Sequence, residues 1–169
     1  MNKNSILDQL EYDPSSGALS YKGVRYILIR PETIAGFQHA LAKLSPEDTR
    51  QAFFKGGFEG GFLSATKYKE MHDFSDLQII EFMMQMGTEI GWGKFSLNLF
   101  RPDEKLLQVA VDQSPFSESY GKSSDGVCDL IRGVISGLAS ALFSKDCEAI
   151  ETCCLARGDK NCVFVVTTE

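Results

Sequence analysis

Strand patterns in this sequence come in pairs joined by short turns, and this spacing constrains the fold more than any other feature. The first pair flanks Lys22-Gly23, and the last pair flanks a turn centred on Gly158. Turns of this kind join neighbouring strands that run antiparallel. The predicted pairs are 19–21 with 24–29, 95–99 with 106–111, and 146–154 with 161–167. The chain is therefore expected to build an antiparallel sheet.

Helical patterns fill the stretches between these pairs. Pro31 and Pro46 each suit the first turn of a helix, and apolar side chains recur every three or four residues after them. In the first helix this recurrence predicts a buried face formed by Phe37, Leu41 and Leu44. The predicted helices are 31–44, 46–68, 75–90 and 123–142, with a polar lead-in at 1–11 and a loop at 114–122.

The resulting order is ββ ααα ββ α ββ. Hairpin-connected strands with separate runs of helices predict an α+β domain, with the helices packed on one side of an antiparallel sheet. A length of 169 residues corresponds to about one domain.

Composition excludes several classes of function. The chain has 12 Phe, 5 Tyr and one Trp, so it can form a core and is not a disordered segment. Its net charge is −6 and it contains no basic run, which argues against nucleic-acid binding. The uncharged stretch 133–144 is too short to span a membrane. The first residues show no secretory signal, so a cytoplasmic location is expected.

Two glycine pairs, Gly56-Gly57 and Gly60-Gly61, lie inside the second predicted helix. Their spacing does not match a dinucleotide-binding loop, which needs glycine at the first, third and sixth positions after a strand. Gly133 and Gly137 form a similar stripe on the last helix. Two interpretations remain open: close helix packing, or a ligand lying against the bare backbone.

All five cysteines lie in the last quarter of the chain, at positions 128, 147, 153, 154 and 162. In a reducing compartment, clustered cysteines indicate a metal site more often than disulfides. The last hairpin brings Cys154 and Cys162 together, Cys128 opens the preceding helix, and Glu151 offers a carboxylate. A tetrahedral zinc site needs four such groups. Buried free cysteines without a metal are the alternative.

One detail of this metal site depends on local strand geometry. Residues three apart in a regular strand face opposite sides. Glu151 and Cys154 can therefore converge only if the strand bulges or ends near residues 152–153. Cys153 and Cys147 share the face of Glu151 in a regular strand, so both remain alternative ligands.

These motifs resemble the 4-vinyl-reductase-type domain family over nearly the whole chain, residues 1–169. The most specific part is Cys128 before a Gly-rich helix, then Glu151-x-x-Cys154, Gly158 and Cys162-x-Phe164. The segment 21–33 also resembles the start of stand-alone members. The resemblance implies a structural Zn²⁺ held by Cys128, Glu151, Cys154 and Cys162. It also implies a fold similar to palmitoyl-binding TRAPP subunits and a homodimer.

The family further implies binding of small hydrophobic or aromatic molecules, including tetrapyrroles, in a sensor or carrier. The predicted apolar pocket is lined by Phe54, Phe58, Phe62, Phe82, Met83, Met86 and Trp92. Trp92, between two glycines, is the strongest candidate for ligand contact. Phenol-sensing relatives use a pocket His and Trp. The third predicted helix has no His and the strand near 106–111 has no Trp, which argues against phenol itself.

Two other classes of function remain. One is a reductase, or an accessory protein, acting on a tetrapyrrole vinyl group. The other is an assembly or tethering scaffold. The sequence has no dinucleotide-binding loop, and its two histidines, His39 and His72, are predicted at the surface, with haem ligation as the alternative. No catalytic residue is predicted, and the balance is against an enzyme.

Overall fold

The computed structural model describes residues 4–167, which form seven strands and five α-helices. The first part of the chain contains β1 (Glu11–Asp13), β2 (Ala18–Tyr21), β3 (Val24–Tyr26), α1 (Pro31–Ala42), α2 (Pro46–His72) and α3 (Asp76–Glu89). The second part contains β4 (Lys94–Arg101), β5 (Leu106–Asp112), α4 (Pro115–Tyr120), α5 (Asp129–Phe143), β6 (Glu148–Cys153) and β7 (Cys162–Thr167).

Every strand pair is antiparallel, so the predicted α+β class is confirmed. The strands nevertheless form two sheets rather than one, in the orders β1-β2-β3 and β4-β5-β7-β6. Strands of the first sheet have only three or four residues, whereas β5 pairs along most of its length with both β4 and β7. The longer ladders bring the two C-terminal hairpins together and leave the first sheet separate.

One face of the four-stranded sheet forms the main core. Alternate residues of β5 and β7, such as Leu107, Val109, Phe164 and Val166, are fully buried. This alternation shows that one face is covered. Helix α5 packs on β6 and β7, and α3 packs on β4. Among residues 4–167, none of the helices combines the length and apolarity needed to cross a bilayer.

Helices α2 and α5 run parallel and approach closely at four glycines: Gly57, Gly61, Gly133 and Gly137. A Cβ atom at Gly61 would lie 2.2 Å from the carbonyl oxygen of Val134. These four glycines therefore serve close helix packing, which resolves the two interpretations left open by the sequence for these positions. Gly56 and Gly60 differ, because a Cβ atom at either would meet nothing within 4 Å.

The predicted lead-in is structured where the model describes it. Residues 1–3 of that segment lie outside the described residues. Ile6 is buried, a short 3₁₀ turn spans Leu7–Gln9, and β1 begins at Glu11. The hydroxyl of Ser5 and the backbone N–H of Ile6 each donate to one carboxylate oxygen of Glu89, at 2.7 Å. Polar composition concealed this docking, because its partner lies more than 80 residues away.

The buried face predicted for α1 is wrong. Phe37, Leu41 and Leu44 are exposed, Leu44 to 85%, whereas Ala35 and Gln38 are buried. The helix presents its small and amide side chains to the rest of the chain, and Gln38 donates a hydrogen bond to the backbone carbonyl of Val127 (3.0 Å). The larger apolar face is left toward solvent.

Two boundaries also differ from the sequence predictions. The strand predicted over 24–29 ends at Tyr26, and the apolar residues 27–29 that follow are exposed, Leu28 to 83%. The predicted loop 114–122 contains α4, which begins at Pro115 because proline suits the first helical position. The helix predicted from residue 123 begins instead at Asp129, with Cys128 as its N-cap residue.

Candidate metal centre

Four side chains from separate parts of the C-terminal half converge at the sheet edge. Cys128 directly precedes α5, Glu151 lies in β6, Cys154 follows β6, and Cys162 begins β7. One potential ligand atom from each lies within 4.8 Å of the others. The three cysteines are at most 1% exposed. The structure therefore brings together the four residues that the resemblance implies.

The convergence of Glu151 and Cys154 depends on a β-bulge. Glu151 pairs with Phe164 while Cys153 pairs with Val163, so the register shifts between them. The extra residue of a bulge changes which side the following residues face. This is the strand irregularity that the sequence requires for these two ligands to meet.

The bulge also separates the alternative ligands from the cluster. Cys153 is half-buried and lies outside the group of converging ligand atoms. The thiol of Cys147 donates to the backbone carbonyl of Lys145 (3.3 Å), and its backbone N–H donates to the Ser140 hydroxyl (2.9 Å). The geometry therefore favours Cys154 over both.

The turn between β6 and β7 is fastened by an ion pair. Gly158 has φ +94°, a conformation that favours glycine. One carboxylate oxygen of Asp159 accepts from the backbone N–H of Cys154 (2.7 Å) and from the Arg157 guanidinium (2.9 Å). The same guanidinium donates to the backbone carbonyl of Thr152. These contacts hold the bulge and the backbone of Cys154 in place.

Protonation of the metal-free cluster is strongly perturbed. Hydrogen bonds from Cys128 and Cys162 hold the pKa of Cys154 well below its usual value, and hydrogen bonds to Cys154 and Cys162 with burial raise that of Cys128. The contact with Cys128 lowers the pKa of Cys162, but the contact with Cys154 and burial together raise it to about 11. Burial, followed by the negative charge of Cys154, raises the pKa of Glu151 to about 8. The cluster thus concentrates negative charge on one sulfur.

The residues present fit a divalent cation. One carboxylate oxygen of Glu151 accepts from the backbone N–H of Cys128 (3.1 Å), while the other is buried with no hydrogen-bond partner among the described residues. A buried oxygen without a partner is costly, and a cation would satisfy it. Three thiolates and one carboxylate are ligands that Zn²⁺ prefers. Gly126 is required beside them, because a Cβ atom there would lie 2.3 Å from Glu151 Oε2.

Sequence reasoning missed one polar residue at this centre. The hydroxyl oxygen of Ser117, on α4, lies 2.9 Å from the sulfur of Cys128, 3.3 Å from that of Cys162 and 3.5 Å from that of Cys154. The predicted loop hid it, although Ser114-Pro115 is a recognisable helix start.

The residues predicted for an apolar pocket fall into separate groups. Phe54, Phe58 and Phe62 form a row on α2, with neighbouring ring centroids 6.2 and 6.3 Å apart. Phe82 lies on α3 and packs against Tyr68, with centroids 5.1 Å apart.

The other three members lie elsewhere along the core. Met83 and Met86 are buried on α3. Trp92 is half-buried and meets Phe116 of α4 edge-on, with centroids 5.1 Å apart. Of the predicted surface histidines, His39 is exposed and His72 is half-buried against Phe74.

Two surface clefts lie beside the cluster and have other linings. The first, about 440 Å³, lies between α1, the start of α2 and residues 120–129, and includes Gln38 and Tyr120. The second, about 410 Å³, is polar and includes Arg132, Glu151 and Arg157. Glu151 is therefore the member of the cluster that borders a cleft. None of the seven predicted pocket residues lines either one.

Fold and site together define an α+β domain with a buried three-cysteine, one-glutamate cluster on its C-terminal hairpin. Residues 107–168 match the family model of the vinyl-4-reductase domain. The chain therefore carries the domain that its motifs predict, and the resemblance to the 4-vinyl-reductase-type family is confirmed. No curated protein matches the sequence.

Solved structures share the fold at low sequence identity. The phenol-responsive sensory domain of the transcription activator PoxR, solved with phenol, has a TM-score of 0.84 and 20% identity. The match covers 96% of this chain and 86% of that chain. A trafficking protein particle complex subunit 3 from Naegleria fowleri, covalently bound to palmitic acid, has a TM-score of 0.59 and 14% identity, over 82% and 95% of the two chains.

A vinyl-4-reductase family protein from Methanocaldococcus jannaschii has a TM-score of 0.54 and 17% identity, over 88% of this chain and 86% of that chain. The predicted likeness to TRAPP subunits is confirmed at the level of the fold by these comparisons.

Proposed function

We propose that this chain is a small-molecule-binding domain, a sensor or carrier, with a structural zinc site. The observation that carries the proposal is the match of 96% of the chain to a phenol-responsive sensory domain, at a TM-score of 0.84. The family match over residues 107–168 supports the same class of function. A function without a ligand, as a scaffold, is the second candidate, supported by the weaker match to a trafficking complex subunit.

The proposed zinc ligands are Cys128, Glu151, Cys154 and Cys162. A structural zinc ion stabilises a fold by joining segments that are otherwise held only by packing. Here these residues would join the N-terminus of α5 to both strands of the last hairpin. The three buried sulfurs leave the centre closed, which supports a structural role rather than a catalytic one.

The proposed ligand is hydrophobic or aromatic, and tetrapyrroles remain within this class. Trp92 is the best candidate for ligand contact, because it is half-buried and packs on Phe116 beside the metal centre. Phe54, Phe58 and Phe62 form a second apolar surface on α2. Binding of such a ligand is driven by burial of apolar area, with few polar groups needed for orientation.

We further propose that the chain works as a single domain over residues 1–169 and as a homodimer. Contact between α2 and α5 joins its two halves through four glycines, which supports one folding unit. The exposed apolar face of α1 supports a second copy as partner. The five free thiols fit a reducing compartment such as the cytoplasm.

A ligand panel tests the binding proposal. Phenol, alkylphenols and a vinyl-bearing porphyrin are each added to the purified protein while its melting temperature is measured. A ligand at about 100 times its dissociation constant stabilises the folded state by about 2.7 kcal/mol. We expect at least one apolar ligand to raise the melting temperature, and Trp92→Leu to reduce the shift. Leu63→Ala, at an exposed site on α2, serves as control.

Two outcomes would contradict the binding proposal. Absence of a shift with every apolar ligand would favour the scaffold. Turnover of the vinyl-bearing pigment with NADPH would favour the reductase.

Elemental analysis tests the metal proposal. We expect about one zinc ion per chain in the purified protein. Cys154→Ser should lose the metal and about 4 kcal/mol or more of unfolding free energy, as expected when a structural metal is lost. Cys153→Ser, the neighbouring cysteine outside the cluster, should retain both. Equal metal content in the two variants would overturn the assignment of Cys154.

A further inference from the structure

Two serine hydroxyls of the α4 region are buried next to the cysteine cluster. Ser114 and Ser117 are at most 2% exposed. Residues three apart on a helix lie on the same face, and both hydroxyls approach the sulfur of Cys128, at 3.5 Å and 2.9 Å. A buried hydroxyl is costly unless it has a hydrogen-bond partner. The partners available here are the sulfur atoms.

Ser117 occupies the more central position. Its hydroxyl oxygen lies within 3.5 Å of the sulfurs of Cys128, Cys154 and Cys162, whereas Ser114 reaches only Cys128. The sulfurs of Cys128 and Cys162 are themselves 3.7 Å apart. Ser117 therefore touches all three sulfurs from a helix that supplies no ligand itself.

Charge determines the direction of this hydrogen bond in a metal-loaded centre. A thiolate can only accept, so the hydroxyl must donate its single proton. Three thiolates and one carboxylate around a divalent cation leave a formal charge of about −2 in a buried place, where each donor to sulfur is stabilising. The nearest acceptor is Cys128.

We propose that Ser117 is a positioning residue of the metal centre, whose hydroxyl donates to the Cys128 thiolate and orients it toward the ion. This inference rests on the metal site proposed above. It gives α4 a specific role: the helix closes the cluster with a hydrogen-bond donor while its neighbouring residue, Phe116, packs on Trp92. Donors of this kind set the orientation and basicity of metal ligands.

The test uses the cobalt-substituted full-length protein, because thiolate-to-cobalt charge-transfer absorption reports directly on the sulfur ligands. Metal affinity is measured in parallel by competition with a chelator. In Ser117→Ala we expect affinity to fall about 10- to 100-fold. We also expect the charge-transfer band to shift to lower energy, because a thiolate that loses a hydrogen bond is a stronger electron donor. Ser117→Thr, which keeps the hydroxyl, should retain the wild-type band.

A matched control is Ser140→Ala, which removes another buried helical hydroxyl, one that contacts Cys147 rather than the cluster. It should leave both affinity and band unchanged. A Ser117→Ala protein with the wild-type band overturns the positioning role, whether or not its affinity or stability falls. A wild-type protein that binds neither cobalt nor zinc overturns the metal site itself, and the inference with it.

Discussion

At the scale of single residues, neighbouring glycines of α2 have opposite roles. Gly57 and Gly61 lie where α5 leaves no room for a side chain, whereas Gly56 and Gly60 face open space. In a helix interior each glycine costs roughly 0.5–1 kcal/mol relative to alanine. Close packing offsets this cost at the first two positions only.

The paired substitutions Gly60→Ala and Gly61→Ala test this difference. Gly60→Ala should raise the unfolding free energy by roughly 0.5–1 kcal/mol, because it gains helix propensity without a clash. Gly61→Ala should lower it by about 3 kcal/mol or more, because the added Cβ would overlap the backbone of Val134. Urea unfolding of both variants measures the contrast. Similar effects of the two would contradict the helix contact.

The ligand set shows how far residue spacing alone reaches. Spacing placed Cys154 and Cys162 across a hairpin but left Cys153 and Cys147 as rivals, because strand alternation is broken by a one-residue bulge. Pairing with β7 locates that bulge between Glu151 and Cys153. Ser117 was not predictable, because its role depends on where a six-residue helix lands, and its own segment carries no ligand motif.

At the scale of elements, the N-terminal segment is attached to the end of α3 by one carboxylate. Hydrogen bonds from Gln85 and Ser5, opposed in part by desolvation, lower the pKa of Glu89 below its ordinary 4.5. The folded state therefore releases this proton more readily than the unfolded state. The resulting stabilisation is present above pH 4.5 and is lost as pH falls toward the folded-state pKa.

Glu89→Gln tests this contribution. At pH 6 the variant should be less stable than wild type, by roughly 1–3 kcal/mol for the hydrogen bonds to charge that it weakens. The difference should shrink as pH falls below 4.5, where wild type becomes protonated. Urea unfolding between pH 6 and pH 3 measures both. A difference that does not change with pH would show that the charge of Glu89 has no role.

Helix faces were harder to predict than helices. Three- and four-residue spacing located α1, α2 and α3, but placed the buried face of α1 wrongly. Periodicity identifies the most apolar side of a helix. Which side is covered depends on the surface that the helix meets, and α1 meets α4 and α2 through Ala35 and Gln38.

At the scale of the whole molecule, exposed apolar side chains gather in and before α1. Residues 27–29 precede Phe37, Leu41 and Leu44, and all six are more than 40% exposed. Monomeric proteins rarely expose apolar surface of this extent. A second copy that presents the same face would cover it by a self-complementary contact, as expected for a homodimer.

Light scattering after size-exclusion chromatography tests the dimer. We expect the wild-type mass to correspond to two chains, and Leu41→Glu combined with Phe37→Glu to give one chain. The control is Ile150→Glu, at a residue of β6 that is also exposed (62%), which should remain dimeric. Circular dichroism checks that each variant is folded. A wild-type protein of single-chain mass at micromolar concentration would contradict the proposed dimer.

The sequence by itself determined the antiparallel hairpins, the helices between them and the set of metal-ligating residues. These depend on local periodicity, turn chemistry and spacing within a hairpin. Only the tertiary structure decided that the strands form two sheets, that glycines rather than phenylalanines join α2 to α5, and that Ser117 meets the sulfurs. Each of these depends on contacts between segments far apart in the chain, and no local pattern records which surfaces meet.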